Sequence, residues 1–157
     1  MMAAMDGSAW SPNPCRTTNG SDLGWVALLR TVAGPRALEE TATALDGQWS
    51  IHDEVPDAIR LDVGIALAEI VANIVEHGSA GGHRVQIEIQ VSVEPGQVLI
   101  ALVDDGNECQ VPLDTAQLPD SDAERGRGLA MARSCLRELG YQRTAATNRW
   151  LLTSKPF

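Results

Sequence analysis

The stretch that decides the fold is Asp57 to Gly78, DAIRLDVGIALAEIVANIVEHG. Apolar residues recur at three- and four-residue intervals: Ile59, Val63, Ala66, Ile70 and Ile74, with Leu67, Val71 and Val75 widening the stripe. That period predicts one long helix with a broad buried face. Gly78 and Ser79 suit a stop just past its last turn. Three polar residues interrupt the helix at i, i+4 and i+8: Glu69, Asn73 and His77. Each four-residue step turns the helix about 40° past a full revolution, so the three project along one strip. Burying them unpaired would cost roughly 1–3 kcal/mol each. Two readings stand: a solvated polar face, or a site using a carboxylate as base and an amide oxygen as ligand to a hard cation.

Working outward, Val85 to Val93 alternates strictly. Val85, Ile87, Ile89, Val91 and Val93 fall on one face, and Gln86, Glu88, Gln90 and Ser92 on the other, which predicts a half-buried strand. Glu94-Pro95-Gly96-Gln97 is a turn, and Val98 to Val103 is an apolar strand central to a sheet, so the two strands form an antiparallel hairpin. The second strand runs into Asp104-Asp105-Gly106, an acid at a sheet edge beside backbone that can be approached closely. The polar residues 108–124 read as a surface loop long enough to act as a lid. Arg125-Gly126-Arg127-Gly128-Leu129 follows, a glycine pair opening a helix with the stripe Leu129, Ala132, Leu136 and Leu139 and a stop at Gly140. Free amides at a helix N-terminus, with no Cβ in the way, make a phosphate cradle. Arg125 and Arg127 either reach a phosphate or are solvated. Closing strands are expected over Tyr141 to Arg143 and Trp150 to Thr153, around a turn at Ala146 to Asn148.

On the N-terminal side, residues 1–22 mix Gly, Ser, Pro and Asn without period and read as a flexible tail. Residues 23–157 form one domain. Leu23 to Val32 suits a first strand, although a helix also fits. Pro35 to Leu45 is a helix with Pro35 in its first turn and Gly47 just past its end. Pro56 and Asp57 open the central helix, with Asp53 or Asp57 available as its cap.

Composition excludes several classes. The 157 residues carry 21 Asp and Glu against 12 Lys and Arg, a formal net charge of −9, which opposes a nucleic-acid-binding surface. It leaves a nucleotide site open, because backbone amides and a metal ion hold phosphates without a basic surface. Three widely spaced cysteines, Cys15, Cys109 and Cys135, form no CxxC and read as reduced thiols in a cytoplasmic protein. No apolar run is long enough to span a membrane, and no secretory signal is evident.

The order of the motifs is more specific than any one of them. Helix with Glu-x3-Asn-x3-His, hairpin, Asp-x-Gly, acidic loop and Gly-x-Gly-Leu helix resembles the GHKL (histidine-kinase-like) ATPase superfamily over roughly residues 23–155. Within it the chain is most similar to the small bacterial anti-sigma-factor serine/threonine kinases. The resemblance implies a Bergerat-type ATP-binding fold: an α/β (α+β) two-layer sandwich with a mixed, mainly antiparallel sheet and helices on one face. It implies that ATP and Mg²⁺ are the cofactors, with Asn73 coordinating the ion and Glu69 activating the attacking hydroxyl or water. His77 ends that motif and is positional. Asp104, with Gly106, would accept from the adenine amino group. Gly126, Gly128 and Leu129 would hold the phosphates. The family's second glycine after the Asp is Glu108 here, which can crowd or repel the nucleotide. No segment with a phospho-acceptor histidine precedes the domain in this sequence, which disfavours a sensor histidine kinase; His52 is isolated in a connection. The activity implied is phosphorylation of a serine on a small antagonist protein, with a sigma factor as the other partner and a homodimer common in the family. The alternative is a non-catalytic or nucleotide-gated module of the same fold that sequesters a partner.

Overall fold

A computed structural model of the chain describes residues 24–79, 82–109 and 124–157, the side chains of residues 124 and 125 excepted. The expected N-terminal tail and the body of the expected lid lie outside these residues. The elements run β1 (Val26–Val32), α1 (Ala37–Trp49), α2 (Asp57–His77), β2 (Gln86–Glu94), β3 (Gln97–Asp104), α3 (Glu124–Cys135), β4 (Leu136–Thr144) and β5 (Thr147–Ser154). The strands form one sheet in the order β1-β2-β3-β5-β4. Every pairing is antiparallel among the described residues, so the expected mixed sheet is here purely antiparallel. Together the strands and helices make the two-layer α+β sandwich.

The central helix forms as its periodicity dictates. Ile59, Val63, Ala66, Leu67, Ile70, Val71 and Ile74 are all buried. Helix α2 packs between α1 and α3 and reaches β5 and β4. Its core-facing side meets Ile87, Ile89, Val91, Ile100, Leu102, Trp150 and Leu152 from the sheet in one apolar cluster. Neither Asp53 nor Asp57 caps it. Pro56 is the N-cap, in extended backbone, with no side-chain hydrogen bond, and Asp57 lies in the first turn where its charge favours the helix dipole.

Other boundaries moved for identifiable reasons. Helix α1 runs through Gly47 to Trp49, because Trp49 is buried beside Leu45 and adds one more turn of core. Gln90 and Ser92, expected on the solvent side of β2, are buried. That strand lies between β1 and β3, and Gln90 faces Ala101 while Ser92 faces Leu99. The largest correction concerns Leu136, Leu139 and Gly140. Helix α3 stops at Cys135, and all three belong to β4. A register shift lies between Leu136 and Glu138, so Leu136 pairs with Ser154 and Leu139 with Leu152. The extra residue of this bulge brings two leucines three apart onto the same face. The spacing therefore mimics a helix. Strands β4 and β5 are also longer than expected, and they turn at Ala145, whose φ is 52°.

Among the described residues no helix is long and apolar enough to cross a membrane. Among the described residues, Cys109 and Cys135 form no disulfide. His52 is partly buried and pairs with Glu54 at 3.0 Å, in a structural role on the connection before α2.

Truncating the centre of α2 tests this packing. Ile70→Ala, at a fully buried position, is expected to lower unfolding free energy by about 2–5 kcal/mol. Leu61→Ala, at a position 64% exposed, should change it by no more than about 0.5 kcal/mol. Urea denaturation of both variants measures the contrast.

Candidate functional site

Two clefts meet along the polar strip of α2. The larger, about 500 Å³, lies between the C-terminal half of α2, the end of β3 and the start of β5. Asn73, His77, Asp104, Glu108, Asn148 and Trp150 are among the residues that line it. The smaller, about 270 Å³, lies between α2 and the first turns of α3, with Glu69, Asn73, His77, Arg127, Gly128 and Leu129 on its walls. Asn73, Glu76 and His77 line both. The helical strip thus joins two compartments, with Asn73 at the junction and Glu69 in the smaller one.

Asp104 closes the middle strand, at the end of the sheet's centre rather than at a lateral edge. It is 1% exposed. Such a group needs donors, and it has three. Oδ1 accepts from the Gly106 amide at 3.0 Å and from Asn148 Nδ2 at 2.7 Å. Oδ2 accepts from the Trp150 indole N–H at 3.0 Å. Burial pushes the carboxyl above the usual aspartate range, against the opposing pull of those donors. A carboxylate offers about four lone-pair sites, so one on Oδ2 is left for a ligand.

The backbone after Asp104 is stapled on both sides. The Asn107 amide donates to the Gly78 carbonyl at 2.8 Å, and Asn107 Nδ2 donates to the His77 carbonyl at 3.2 Å, so Asn107 closes the C-terminus of α2. Asp105 Oδ1 accepts from the Gln86 amide at 2.7 Å. Gly106 packs against α2's end: a Cβ there would lie 2.8 Å from the Gly78 carbonyl oxygen.

The structure brings Glu69, Asn73, His77, Asp104, Arg127, Gly128 and Leu129 to the paired clefts. His77 is exposed and lies 3.5 Å from Glu76. Gly106 lines neither cleft; its amide serves Asp104 and its carbonyl accepts from Arg143 Nη1 at 2.7 Å. The glycine pair, expected to open its helix, lies inside the first turns of α3. Gly126 is partly buried and lines neither cleft, whereas Gly128 faces Glu69: a Cβ at Gly128 would lie 2.5 Å from Glu69 Oε2. The Arg125 side chain lies outside the described residues.

Asn148 and Trp150 were not singled out from the sequence as site residues. Their one sequence signal is the spacing of two on β5, which puts both on the same face as the buried Leu152. Among the described residues no group of three or more His, Cys, Asp or Glu side chains can hold a metal ion. A magnesium ion at Asn73 would therefore draw most of its ligands from phosphate and water.

The two-layer sandwich thus carries a buried acid at the end of its middle strand, beside a groove that leads toward a glycine-bearing helix. The chain belongs to the histidine kinase-like ATPase domain family, whose model matches residues 32–153. Among solved structures, the histidine kinase domain from the Erythrobacter litoralis EL346 blue-light activated histidine kinase is similar, with a TM-score of 0.52 at 16% identity. The match covers 72% of this chain and 59% of that chain, so the likeness is one of fold. No curated protein matches the chain. The residues present fit the nucleotide the family implies: a buried carboxylate acceptor in one compartment, and an amide, a cation and a Cβ-free helix turn in the other.

Gly106→Ala forces backbone against backbone and should destabilise the fold by about 1–3 kcal/mol. Gly128→Ala meets only the end of a flexible side chain and gains helix propensity, so its melting temperature should stay near wild type while the Glu69 carboxylate is displaced. Calorimetric melting of both separates the cases. For Asp104, the native chain holds a proton that the unfolded chain has already released between the ordinary aspartate value and the raised one. Stability therefore falls as pH rises through that window. Denaturation across it should show wild type losing ground to Asp104→Asn as pH increases.

Proposed function

We propose that this domain is an ATP-dependent serine/threonine protein kinase of the anti-sigma-factor type, acting as a regulatory switch on a small antagonist protein. The observation that carries it is Asn73, one side chain lining both the compartment that holds Asp104 and the compartment that holds Gly128, with Glu69 one helical turn before it. ATP supplies a γ-phosphoryl group bonded to a good leaving oxygen. The chain's own residues orient and deprotonate. Asp104 accepts from an exocyclic amino group of the base. Asn73 offers its amide oxygen to a magnesium ion shared with the phosphates. Arg127 and the first turns of α3 face the phosphate end. Glu69 takes the proton of the substrate hydroxyl as it attacks, a role that needs a carboxylate within reach of the transferring group. By family resemblance the substrate is a serine of a small antagonist, with a sigma factor as the second partner, in the cytoplasm.

A second reading is favoured by two side chains. Glu76 and Glu108 line the base compartment beside Asp104, adding negative charge where a polyphosphate would enter. That arrangement suits a module that sequesters its partner and uses nucleotide as a conformational ligand or not at all.

Transfer of labelled phosphate from ATP to candidate antagonists tests the first reading, and calorimetry with Mg-ATP tests the second. Glu69→Gln should lower transfer by about 10²–10⁴-fold while leaving nucleotide affinity near wild type. Equal transfer rates would remove Glu69 as base. Intact partner binding with no nucleotide heat would establish the sequestering module.

A further inference from the structure

A buried polar network backs the base compartment, and its centre is Asn148. This residue is 2% exposed. Its Oδ1 accepts from Tyr141 Oη at 2.7 Å and from Arg143 Nη1 at 2.8 Å. Its Nδ2 donates to Asp104 Oδ1 at 2.7 Å, to the Asn107 carbonyl at 2.8 Å and to the Gly106 carbonyl at 3.3 Å. The amide has only one sensible orientation. Arginine can only donate, so the atom facing it is the oxygen; the two carbonyls can only accept, so the atom facing them is the nitrogen. Tyr141 is locked in turn, because its hydroxyl accepts from the Cys109 amide at 2.9 Å and its ring lies 4.5 Å from that of Trp150. Burial raises the Tyr141 phenol above its ordinary value, which keeps it a donor.

Three parts of the site are therefore joined through one amide: the Asp104 carboxylate, the root of the segment leading to Cys109, and, through Asn107, the C-terminal turn of α2. Oδ1 of Asp104 is saturated by Asn148 and the Gly106 amide. Oδ2 keeps one lone pair beyond the Trp150 indole.

We propose that Asn148 is the positioning residue of the base compartment: held by Tyr141 and Arg143, it fixes the Asp104 carboxylate so that Oδ2 alone faces the ligand. It also ties that acid to the α2 terminus behind the Asn73–His77 strip. The inference rests on the nucleotide-binding reading above and adds to it the residue that sets the acceptor. Without Asn148 only the Gly106 amide holds Oδ1, and the free acceptor on Oδ2 is less firmly aimed.

The test uses the full chain, with the Trp150 indole N–H as an internal probe of Asp104. Around this carboxyl the charged groups are Asp105 next to it, Arg143 on β4, Glu76, His77 and Glu108 on the walls of the same compartment, and Arg30 and Glu88 in a neighbouring cleft that Asp104 also lines. In wild type the indole resonance should titrate with Asp104. Removing the Asn148 donor takes away an interaction that favours the charged acid, so the midpoint should rise in Asn148→Ala. Mg-ATP affinity by calorimetry should fall about ten- to a hundredfold. Tyr141→Phe removes one hydroxyl from a conserved shape and remains folded; it should weaken affinity a few-fold and move the midpoint in the same direction. Asn148→Ser, which retains a donor, should recover part of both effects. A purely structural role would lower the melting temperature while leaving the indole midpoint and the affinity of the folded fraction at wild-type values, and that result overturns the proposal. Wild type that binds no Mg-ATP, with the indole midpoint still moved by Asn148→Ala, overturns the nucleotide-binding reading instead and leaves Asn148 positioning an acid that no nucleotide uses.

Discussion

A carboxylate 1% exposed, at the end of the middle strand, is the constraint that the rest of this molecule satisfies. Burying an unpaired charge costs several kcal/mol even after relaxation. The chain offsets it with donors from three places: the turn at Gly106, and Asn148 and Trp150 on β5. That solution fixes register. Asp104 lies directly opposite Asn148 in the β3–β5 ladder. A slip of one residue would turn Asn148 and Trp150 to the other face and leave the acid without two of its three donors. Apolar pairing alone is more permissive, since Val, Leu and Ile substitute for one another with modest penalties.

Fixing β5 also fixes what lies above it. Trp150 and Leu152 belong to the same face as Asn148 and sit in the core against α2. Asn107 grips the last carbonyls of that helix from the other side. Helix α2 is therefore located by apolar packing along one flank and by polar staples at its C-terminus. Its remaining flank carries Glu69, Asn73 and His77, and is left to line the two clefts. The strip that interrupts the stripe of Ile and Val is thus neither a plain solvated face nor a buried anomaly. It is the wall of a groove whose far side is built by β3, β5 and α3.

Local periodicity made much of this legible. The spacing of Glu69, Asn73 and His77 follows from helix geometry alone, and the β2–β3 hairpin follows from alternation around Pro95 and Gly96, whose φ is 79°. The failures share a cause: a nonlocal contact overrode a local signal. Gly47 reads as a helix stop, yet burial of Trp49 carries α1 past it. Leu136 and Leu139 read as a helical pair, yet a bulge against β5 produces the same spacing in a strand. Asn148 and Trp150 are 44 and 46 residues from the acid they hold, and their spacing of two on β5 marks a shared face but not that partner. Gly106 shows the converse. It was expected beside the ligand, yet its use is internal: a close approach to Gly78 and a carbonyl for Arg143.

Glu108 is best understood from the staples on either side of it. Asn107 is held to α2 and the Cys109 amide to Tyr141, so the backbone at 108 is anchored at both neighbours. A side chain replacing a motif glycine there has somewhere to go: Glu108 is exposed, on the wall of the larger cleft. Steric crowding is then the lesser effect, and charge the greater. With Glu76 on the same wall, the compartment carries two exposed carboxylates beside Asp104. An exposed carboxylate is screened within about 8–10 Å at ordinary salt, so its repulsion acts on a ligand in contact rather than on its approach. A polyphosphate entering beside Glu76 and Glu108 is opposed less when a divalent cation accompanies it. On the nucleotide-binding reading, Asn73 at the junction of the two compartments is where such a cation meets both the ligand and the helix.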